Sequence, residues 1–319
     1  MAVYTHLGAE ELARLITAYD VGELVSAKGI AEGVSNSNWL VETTQARFIL
    51  TMYERRIELS DLPFFLGLLD HLSEKGCAVP RTIHDREGAA FRMVGGKAVA
   101  LIEFLPGVSP GTPTPAQARS IGAALARMHL ATQDFRPGRP NDIGQAAWPA
   151  MARECGAEGL ASIDPDLPAL VEGHLASLTG QWPAALPSGV IHADLFPDNT
   201  LFRGENVTGM IDFYFACSDA LAYDLAVTHA AWCFSADGRS FHQPISEALL
   251  AGYESVRPLS GEERSSLPVL ARGAAMRFLL SRACDWLDTP DDALVTRKDP
   301  LDFARRLEFY DAAGAELFG

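Results

Sequence analysis

A change in residue pattern near residue 105 constrains the fold of this chain more than any other feature. Before it, three β-rich runs joined by short turns, GELVSAKGI, NWLVETT and RFILTMYE, favour an antiparallel meander. After it, segments with helical periodicity dominate, among them PAQARSIGAALARMHLAT and SLPVLARGAAMRFLLSRACDWLD. A Pro- and Gly-rich segment, Pro106 to Pro115, separates the two parts as a linker would. We therefore expect an α+β fold with a small β-rich N-terminal lobe, residues 1–105, and a larger, mainly helical C-terminal lobe, residues 106–319.

Composition narrows the class of protein. The chain has 319 residues, of which 48% are hydrophobic and 21% charged, as expected for a globular protein. Its net charge of −15 opposes binding to nucleic acid or to an anionic membrane surface. The start of the chain lacks the features of a signal peptide, and no apolar run reaches the length of a membrane helix. Its five scattered cysteines fit reduced thiols, so we expect a cytoplasmic protein; monomer or homodimer is left open.

An unusual set of polar residues lies between two strand-like runs in VIHADLFPDNTLF, Val190 to Phe202. A metal site, a general-base site and an ordinary polar turn are the competing interpretations. A further acid, Asp212, ends the apolar strand in TGMIDFYFA, and a hairpin would bring Asn199 and Asp212 to the same end. Such oxygen ligands suit Mg2+, while Asp194 would stay off the metal and accept a proton from a hydroxyl. A zinc site at His192 and Asp194 lacks a further His or Cys at a known ligand spacing.

A second polar stretch, EGVSNSNWLV, joins two of the predicted N-terminal strands. Gly33 allows a sharp turn or a close approach of the backbone to a ligand, and neighbouring N–H groups and short side chains can donate to phosphate oxygens. The stretch is not a Walker A loop, because no Gly-Lys-Ser/Thr and no helix follow it. A plain polar hairpin is the alternative interpretation.

The pattern H-x-D-x-x-x-x-N followed by an I-D-F strand resembles the catalytic core of the aminoglycoside phosphotransferase and choline kinase superfamily, whose fold is protein-kinase-like and two-lobed. The segments GVSNSNWLVET, RFILTMYERR, LPFFLGLLDHL and ACSDALAYDLAVTHAAWC are similar to one branch of it, the bacterial homoserine kinases of the phosphotransferase-like type. The resemblance implies ATP and Mg2+, phosphorylation of the L-homoserine hydroxyl, and a place in threonine biosynthesis.

The resemblance also implies roles for particular residues. Asp194 matches the catalytic base, and Asn199 and Asp212 match the metal ligands. His192 and Asp224 match residues that support the catalytic loop. The nucleotide would be held by Gly33, Ser35, Asn36, Ser37 and Asn38 of the phosphate loop and by backbone groups of Glu103, Phe104 and Leu105 in the hinge.

One position departs from the pattern of many relatives, which carry on the third strand a Lys that grips the nucleotide phosphates. Here Thr51 stands at that place. Mg2+, the loop amides or another base such as Arg55 or Arg56 must then meet the phosphate charge. A pseudokinase that binds nucleotide without turnover is the alternative, although the intact Asp194, Asn199 and Asp212 argue against it.

Homoserine carries a carboxylate and an ammonium group, so an Arg and an acid are expected near Asp194. Arg277, Arg282 and Asp285 share one predicted helix, where an intrahelical ion pair is the simpler interpretation. Asp219 is a second candidate for the ammonium group or, more simply, the N-cap of the following helix. A kinase for another small alcohol, an aminoglycoside or choline, remains an alternative. We interpret His129, which lies on an apolar helix, as packing between the lobes.

Overall fold

The computed structural model describes residues 7–30, 36–54, 57–289 and 297–318. The chain divides into two compact units. Unit 1 comprises Met1–Gly107 and Thr208–Tyr214, and unit 2 comprises Val108–Val207 and Phe215–Gly319. The main boundary therefore lies two residues beyond the predicted lobe boundary, and a short later segment of the chain clusters with the β-rich unit.

Strands dominate unit 1, and further short strands lie in unit 2. In chain order the strands of the described residues are β1 (Leu24–Ile30), β2 (Asn36–Thr43), β3 (Arg47–Tyr53), β4 (Thr82–Ile83), β5 (Arg92–Val94), β6 (Lys97–Glu103), β7 (Ser188–Ile191), β8 (Thr200–Arg203), β9 (Asn206–Met210) and β10 (Cys217–Ala220). The first six form one antiparallel sheet in the order β1-β2-β3-β6-β4, with β5 also paired to β6. The predicted meander is thus present as β1, β2 and β3.

Helices dominate unit 2, although the first two helices of the chain lie in unit 1. In chain order the α-helices of the described residues are α1 (Ala9–Ile16), α2 (Leu62–Glu74), α3 (Pro115–Ala131), α4 (Trp148–Cys155), α5 (Ala157–Ile163), α6 (Leu167–Gln181), α7 (Leu221–Trp232), α8 (Gln243–Glu254), α9 (Gly261–Asp288) and α10 (Leu301–Phe318). Within the described ranges, no helix is long and apolar enough to span a bilayer.

The core of unit 1 follows from the alternation of side chains along its strands. On β2, Trp39 and Val41 are buried while Leu40 and Glu42 are only partly covered, as a half-buried strand requires. These inward side chains pack with the buried face of α1, which carries Leu12, Leu15 and Ile16.

The core of unit 2 is built around α7 and α9. Every residue of α7 is buried, in keeping with an apolar sequence that has no polar stripe. The long helix α9 packs against α4, α6, α7 and α10. It begins with a capping box in which Ser260 and Glu263 satisfy each other's backbone N–H groups. This helix places Arg277 and Arg282 within the helical unit.

Two glycines allow α3 and α8 to cross at backbone contact. A Cβ atom on Gly122 would collide with the carbonyl oxygen of Leu249, and one on Gly252 with that of Arg119. We expect Gly122→Ala to destabilise the fold, because overpacking costs about 1–3 kcal/mol. The higher helix propensity of alanine would offset at most about 1 kcal/mol of this cost. Thermal unfolding measures the difference. The control is Gly173→Ala, since an added Cβ on that exposed α6 position meets nothing within 4 Å. Equal unfolding temperatures for the two variants would contradict the close crossing.

A buried histidine ties α7 to α8 and α10. The two ring nitrogens of His229 lie 2.6 Å from the Tyr310 hydroxyl and 2.7 Å from Ser246 Oγ. Burial lowers the pKa of His229 to about 3, so the folded protein holds the ring neutral. The unfolded chain takes up this proton near pH 6.5, and stability is therefore lost as pH falls from about 6.5 towards 3.

The pH dependence of unfolding tests this tie. Between pH 7 and pH 5, His229 should remove about 2 kcal/mol from the free energy of unfolding, at about 1.4 kcal/mol per pH unit below its unfolded pKa. His229→Gln should be less stable at pH 7, yet it should lose less stability on acidification, because it has no proton to bind. Parallel pH curves for the two proteins would show that His229 is not the group responsible.

Candidate active site

The residues after β7 form a strained loop. We call residues 192–199 the polar loop. Ala193 has a φ of 62°, a left-handed conformation that costs a non-glycine residue on the order of 1 kcal/mol or more. Such a backbone persists only when its surroundings hold it, and here the buried Asp224 of α7 does so. Its carboxylate accepts hydrogen bonds from the backbone N–H groups of His192 at 2.7 Å and Ala193 at 2.8 Å.

Asp224 is itself held by a line of polar side chains inside unit 2. His129 of α3 lies 2.9 Å from Asp224 through Nε2 and 2.8 Å from the Tyr253 hydroxyl through Nδ1. Arg257 donates to the same hydroxyl and to Glu263 at 2.7 Å. Burial alone would raise the pKa of Asp224, but the hydrogen bond and charge of His129 hold it below the usual value. The interpretation of His129 as packing between the lobes is wrong, because its ring binds the loop anchor within unit 2.

Arg277 braces the polar loop from the other side. Its Nη1 donates to the carbonyl oxygen of Ala193 at 2.8 Å and lies 3.5 Å from Asp194 Oδ1. The guanidinium stacks 3.9 Å from the centre of the Phe278 ring, and the side chain is only 3% exposed. The left-handed Ala193 is therefore held at its N–H by Asp224 and at its carbonyl by Arg277.

Asn199 fixes the position of Asp194. Its Nδ2 donates to the backbone oxygen of Asp194 at 2.8 Å and to the carboxylate at 3.1 Å, so its side-chain oxygen takes no part in these two bonds. The fully buried His192 accepts a hydrogen bond from the N–H of Asp194 at Nδ1. Trp232 donates from α7 to the carbonyl oxygen of Leu195. The loop thus holds the Asp194 carboxylate next to the side-chain amide of Asn199.

Asp212 occupies a second strained position, in unit 1. It follows β9 and has a φ of 64°. Asp212 lies near the buried Tyr53 and the half-buried Tyr214, whose hydroxyls are 3.1 Å apart. Burial is the main cause that raises the pKa of Tyr214 to about 12, and the negative charge of Asp212 contributes. Both acids of the candidate site therefore lie on or next to a residue with left-handed backbone.

The structure covers part of the predicted nucleotide site. Gly33 and Ser35, and likewise Arg55 and Arg56, lie outside the described residues. Asn36, Ser37 and Asn38 belong to β2, which begins two residues earlier than the run NWLVETT predicts because pairing with β3 extends to Asn36. The phosphate-binding role of these residues remains a prediction.

Thr51 is used inside the sheet. Its hydroxyl donates to Asn38 Oδ1 at 2.8 Å, and the side chain is buried. A positive charge that sequence reasoning missed lies on β6, the neighbour of β3 in the sheet. There Lys97 forms an ion pair with Glu54. Glu54 also accepts from Ser37 Oγ at 2.6 Å. The antiparallel pairing of Met52 with Val99 places residue 97 opposite residue 54, so the register of β3 and β6 was the signal for this pair.

In the predicted hinge, the N–H of Glu103 donates to the carbonyl oxygen of Arg81 at 3.0 Å. This N–H is committed to the edge of the sheet. Any hydrogen bond from the hinge to adenine must therefore use other backbone groups of Glu103, Phe104 and Leu105.

The substrate candidates on α9 have different surroundings. Arg282 donates to Asp302 at 2.9 Å and to the carbonyl oxygen of Asp299 at 3.0 Å, and its side chain is 13% exposed. The backbone oxygen of Asp285 accepts from Thr289, and Asp285 itself is exposed. Asp302, at the start of α10, is an acid that sequence reasoning missed.

Asp219 is not a helix N-cap. It lies in β10, which pairs with β7, and the N-cap of α7 is Ala220. Its carboxylate accepts from Asn141 Nδ2 and from the N–H of Ala220, both at 2.7 Å. The N-cap prediction is wrong because pairing of Ala220 with Ser188 keeps the chain extended one residue beyond Asp219.

The polar loop lies inside a region of the chain that matches a known protein family. A model of the phosphotransferase enzyme family matches residues 26–259, which is most of the chain. The chain belongs to this family. The family resemblance drawn from the polar loop is thereby confirmed, and the roles of its residues stay predictions.

Near-full-length relatives are named homoserine kinase. One from Acidiphilium cryptum is 51% identical over 99% of this chain and 98% of its own length. Another from Azorhizobium caulinodans is 49% identical, covering 100% of this chain and 99% of its own. Both alignments include the β-rich unit and the helical unit.

Solved structures confirm the predicted fold. Amicoumacin kinase hAmiN, in complex with AMP-PNP and Ca2+, superimposes with a TM-score of 0.70, at 15% identity and with 96% of this chain and 94% of that one covered. Choline kinase from Cryptosporidium parvum gives a TM-score of 0.68 at 15% identity, covering 97% and 96% of the two chains. At this identity the likeness concerns the fold alone.

Proposed function

We propose that this protein transfers the γ-phosphoryl group of ATP to the side-chain hydroxyl of L-homoserine, a step of threonine biosynthesis. The observation that carries the proposal is the identity of about half the residues, over the whole chain, with proteins named homoserine kinase. The rigid polar loop supports it, because phosphoryl transfer depends mainly on positioning and on charge neutralisation.

Asp194 is the proposed catalytic base. Its carboxylate is oriented by Asn199 and lies beside Arg277, and the braced backbone around Ala193 fixes its position. It would accept the proton of the homoserine hydroxyl as that oxygen attacks the γ-phosphorus atom. Little covalent chemistry is asked of the protein beyond this proton transfer.

Mg2+ is the proposed metal, with Asn199 and Asp212 as its protein ligands. The donor set fits a hard cation, since Asp212 supplies a carboxylate and Asn199 keeps its amide oxygen outside the bonds that orient Asp194. When bound, the ion would neutralise charge on the phosphate oxygens of the nucleotide. The chain's contribution is to hold these two oxygen ligands on strained or hydrogen-bonded backbone.

For the nucleotide, we propose phosphate contacts from the loop that contains Gly33 and Ser35 and continues into Asn36, Ser37 and Asn38. Because Thr51 cannot supply a positive charge, we propose Lys97 as the side chain that does. Lys97 lies at the same end of the sheet as the start of β2, as the pairing of Asn36 with Tyr53 indicates. The hinge, Glu103 to Leu105, would bind adenine through its backbone.

For homoserine, we propose a division of labour on α9. Arg277 is committed to the Ala193 carbonyl and is almost inaccessible, so it acts as a positioning residue for the polar loop. Arg282 is more exposed and lies within the electrostatic reach of Asp194, so it is our candidate for the substrate carboxylate. Asp302 replaces Asp219 and Asp285 as our candidate for the ammonium group, because its carboxylate lies 2.9 Å from Arg282 and so next to the proposed ligand of the substrate carboxylate.

The two arginines should separate in steady-state kinetics. Arg277→Met should lower kcat by about 10- to 100-fold, because it releases the loop that positions Asp194, with a smaller change in the KM for homoserine. Arg282→Met should mainly raise the KM for homoserine. A variant Arg277→Met that changes KM alone would assign the carboxylate to Arg277 and contradict this division.

A coupled assay of ADP release, with and without homoserine, tests the proposed function. We expect ADP release that depends on homoserine and Mg2+. A pseudokinase would bind ATP and release no ADP with any acceptor, while a kinase for choline or an aminoglycoside would respond to those alcohols. No feature of the described residues favours either alternative.

The setting of the reaction follows from its chemistry. We propose the cytoplasm, where ATP is present and thiols stay reduced, and all five cysteines of the chain are free thiols. The net charge of −15 disfavours nucleic acid and anionic membranes as partners. The small-molecule substrates are then the relevant ligands.

A further inference from the structure

Two thiols from distant parts of the chain meet inside unit 2. Cys155 is the last residue of α4 and Cys284 lies in the last two turns of α9, 129 positions later. Their sulfur atoms are 2.9 Å apart. A disulfide bond measures about 2.05 Å, so the two sulfurs need to approach by less than about 1 Å to be bonded.

Packing on both sides fixes the spacing of these helices. A Cβ atom on Gly273 of α9 would lie 2.8 Å from the ring of Trp148, at the other end of α4. Just beyond the thiols, a Cβ atom on Gly159 would lie 2.9 Å from Leu287 of α9. The sulfurs are therefore neighbours because the helices that carry them are in contact along α4.

The two thiols of the pair differ in acidity, because their shared hydrogen bond lowers the pKa of Cys155 and raises that of Cys284. A hydrogen bond from Cys284 is the largest influence on Cys155 and lowers the pKa of its thiol, which favours the nucleophilic thiolate. Burial instead raises the pKa of Cys217 to about 12 and that of Cys233 well above its usual value. Cys284 is partly exposed, so small oxidants have a route to the pair.

We propose that Cys155 and Cys284 form a redox modification site, a reversible disulfide that joins α4 to α9 when the protein meets a peroxide. The Cys155 thiolate attacks one peroxide oxygen, so that an S–O bond forms, the O–O bond breaks and hydroxide leaves. The Cys284 sulfur then attacks the Cys155 sulfur. The S–S bond forms, the S–O bond breaks, and the hydroxide that leaves takes the Cys284 proton as water.

The bond would link α4 covalently to α9, the helix that carries Arg277 and Arg282. Because it closes a long loop in the unfolded chain, it should raise the unfolding temperature by about 5 °C or more. Because the sulfurs are already close, the geometry of α9 should change little, and kcat should stay within about threefold of the reduced protein.

Mass spectrometry of the full-length protein tests the site. After treatment with hydrogen peroxide and alkylation under denaturing conditions, we expect two of the five thiols to resist alkylation, a mass lower by two hydrogen atoms, and a peptide that links Cys155 to Cys284. Dithiothreitol should restore both thiols. Cys77→Ser should behave as the wild type, whereas Cys155→Ser and Cys284→Ser should show neither the linked peptide nor the higher unfolding temperature.

Three results would overturn the proposal. One is that all five thiols remain alkylatable, or carry only added oxygen, at peroxide concentrations that oxidise a free thiol. Another is a disulfide between chains or between other cysteines. An oxidised protein with a lower unfolding temperature would also contradict it, because the bond would then distort the packing of α4 on α9. Each readout is independent of the acceptor that the enzyme phosphorylates.

Discussion

Asp194→Asn should lower kcat by at least about 100-fold, the loss expected when a positioned general base is removed. The asparagine keeps the size of the side chain and can still hydrogen-bond Asn199, so the polar loop should keep its shape. ATP affinity should change little, because Asp194 is proposed to contact the acceptor hydroxyl and not the metal. Steady-state kinetics and titration with a fluorescent ATP analogue measure the two quantities.

A nearby acid provides the matched control for Asp194. Asp198 lies in the same loop, its side chain is 67% exposed, and its contact is with Lys298 at 3.8 Å. Asp198→Asn should therefore keep kcat within about threefold, as surface substitutions away from special features usually do. If Asp194→Asn kept more than about a tenth of wild-type kcat, the assignment of the base would be wrong.

Asp212→Asn should weaken the use of Mg2+ as well as the rate. The change removes the only full negative charge that we assign to the metal site, and asparagine tolerates the left-handed backbone that Asp212 adopts. We expect the Mg2+ concentration for half-maximal rate to rise by about tenfold or more, together with a loss in kcat on the order of 100-fold.

Titration of Mg2+ at fixed ATP separates this effect from that of Asp194→Asn, which should leave the metal dependence unchanged. The unfolding temperature serves as the control, since Asp212 also lies near Tyr53 and Tyr214. An unchanged Mg2+ dependence in a folded Asp212→Asn variant would exclude Asp212 from the metal site.

The features that could be predicted from the sequence are those that produce a pattern within a short stretch of residues. The strand-rich first part, the Pro- and Gly-rich linker and the long helices each have a period that a short window reveals. The polar loop stood out because His192, Asp194 and Asn199 interrupt two apolar runs. Strand boundaries were less certain, as β2 shows, since pairing with β3 and not local propensity decides where it begins.

The support of the site could not be predicted because it depends on contacts between distant residues. Arg277 meets the Ala193 carbonyl across 84 positions, and His129 meets Asp224 across 95. The left-handed backbone of Ala193 had no signal either, because no glycine marks it. The pairing of Lys97 with Glu54 could have been predicted from the register of β3 and β6. That register, however, becomes certain only in the folded sheet.

The acceptor preference tests the central claim most directly, and the decisive measurement is kcat/KM for homoserine, serine, choline and kanamycin under identical ATP and Mg2+. We expect homoserine to exceed each of the others by about 100-fold or more. Choline and kanamycin lack the carboxylate that Arg282 is proposed to bind, and the serine hydroxyl falls one methylene short of Asp194. A kcat/KM for choline or kanamycin equal to that for homoserine would contradict the proposed function.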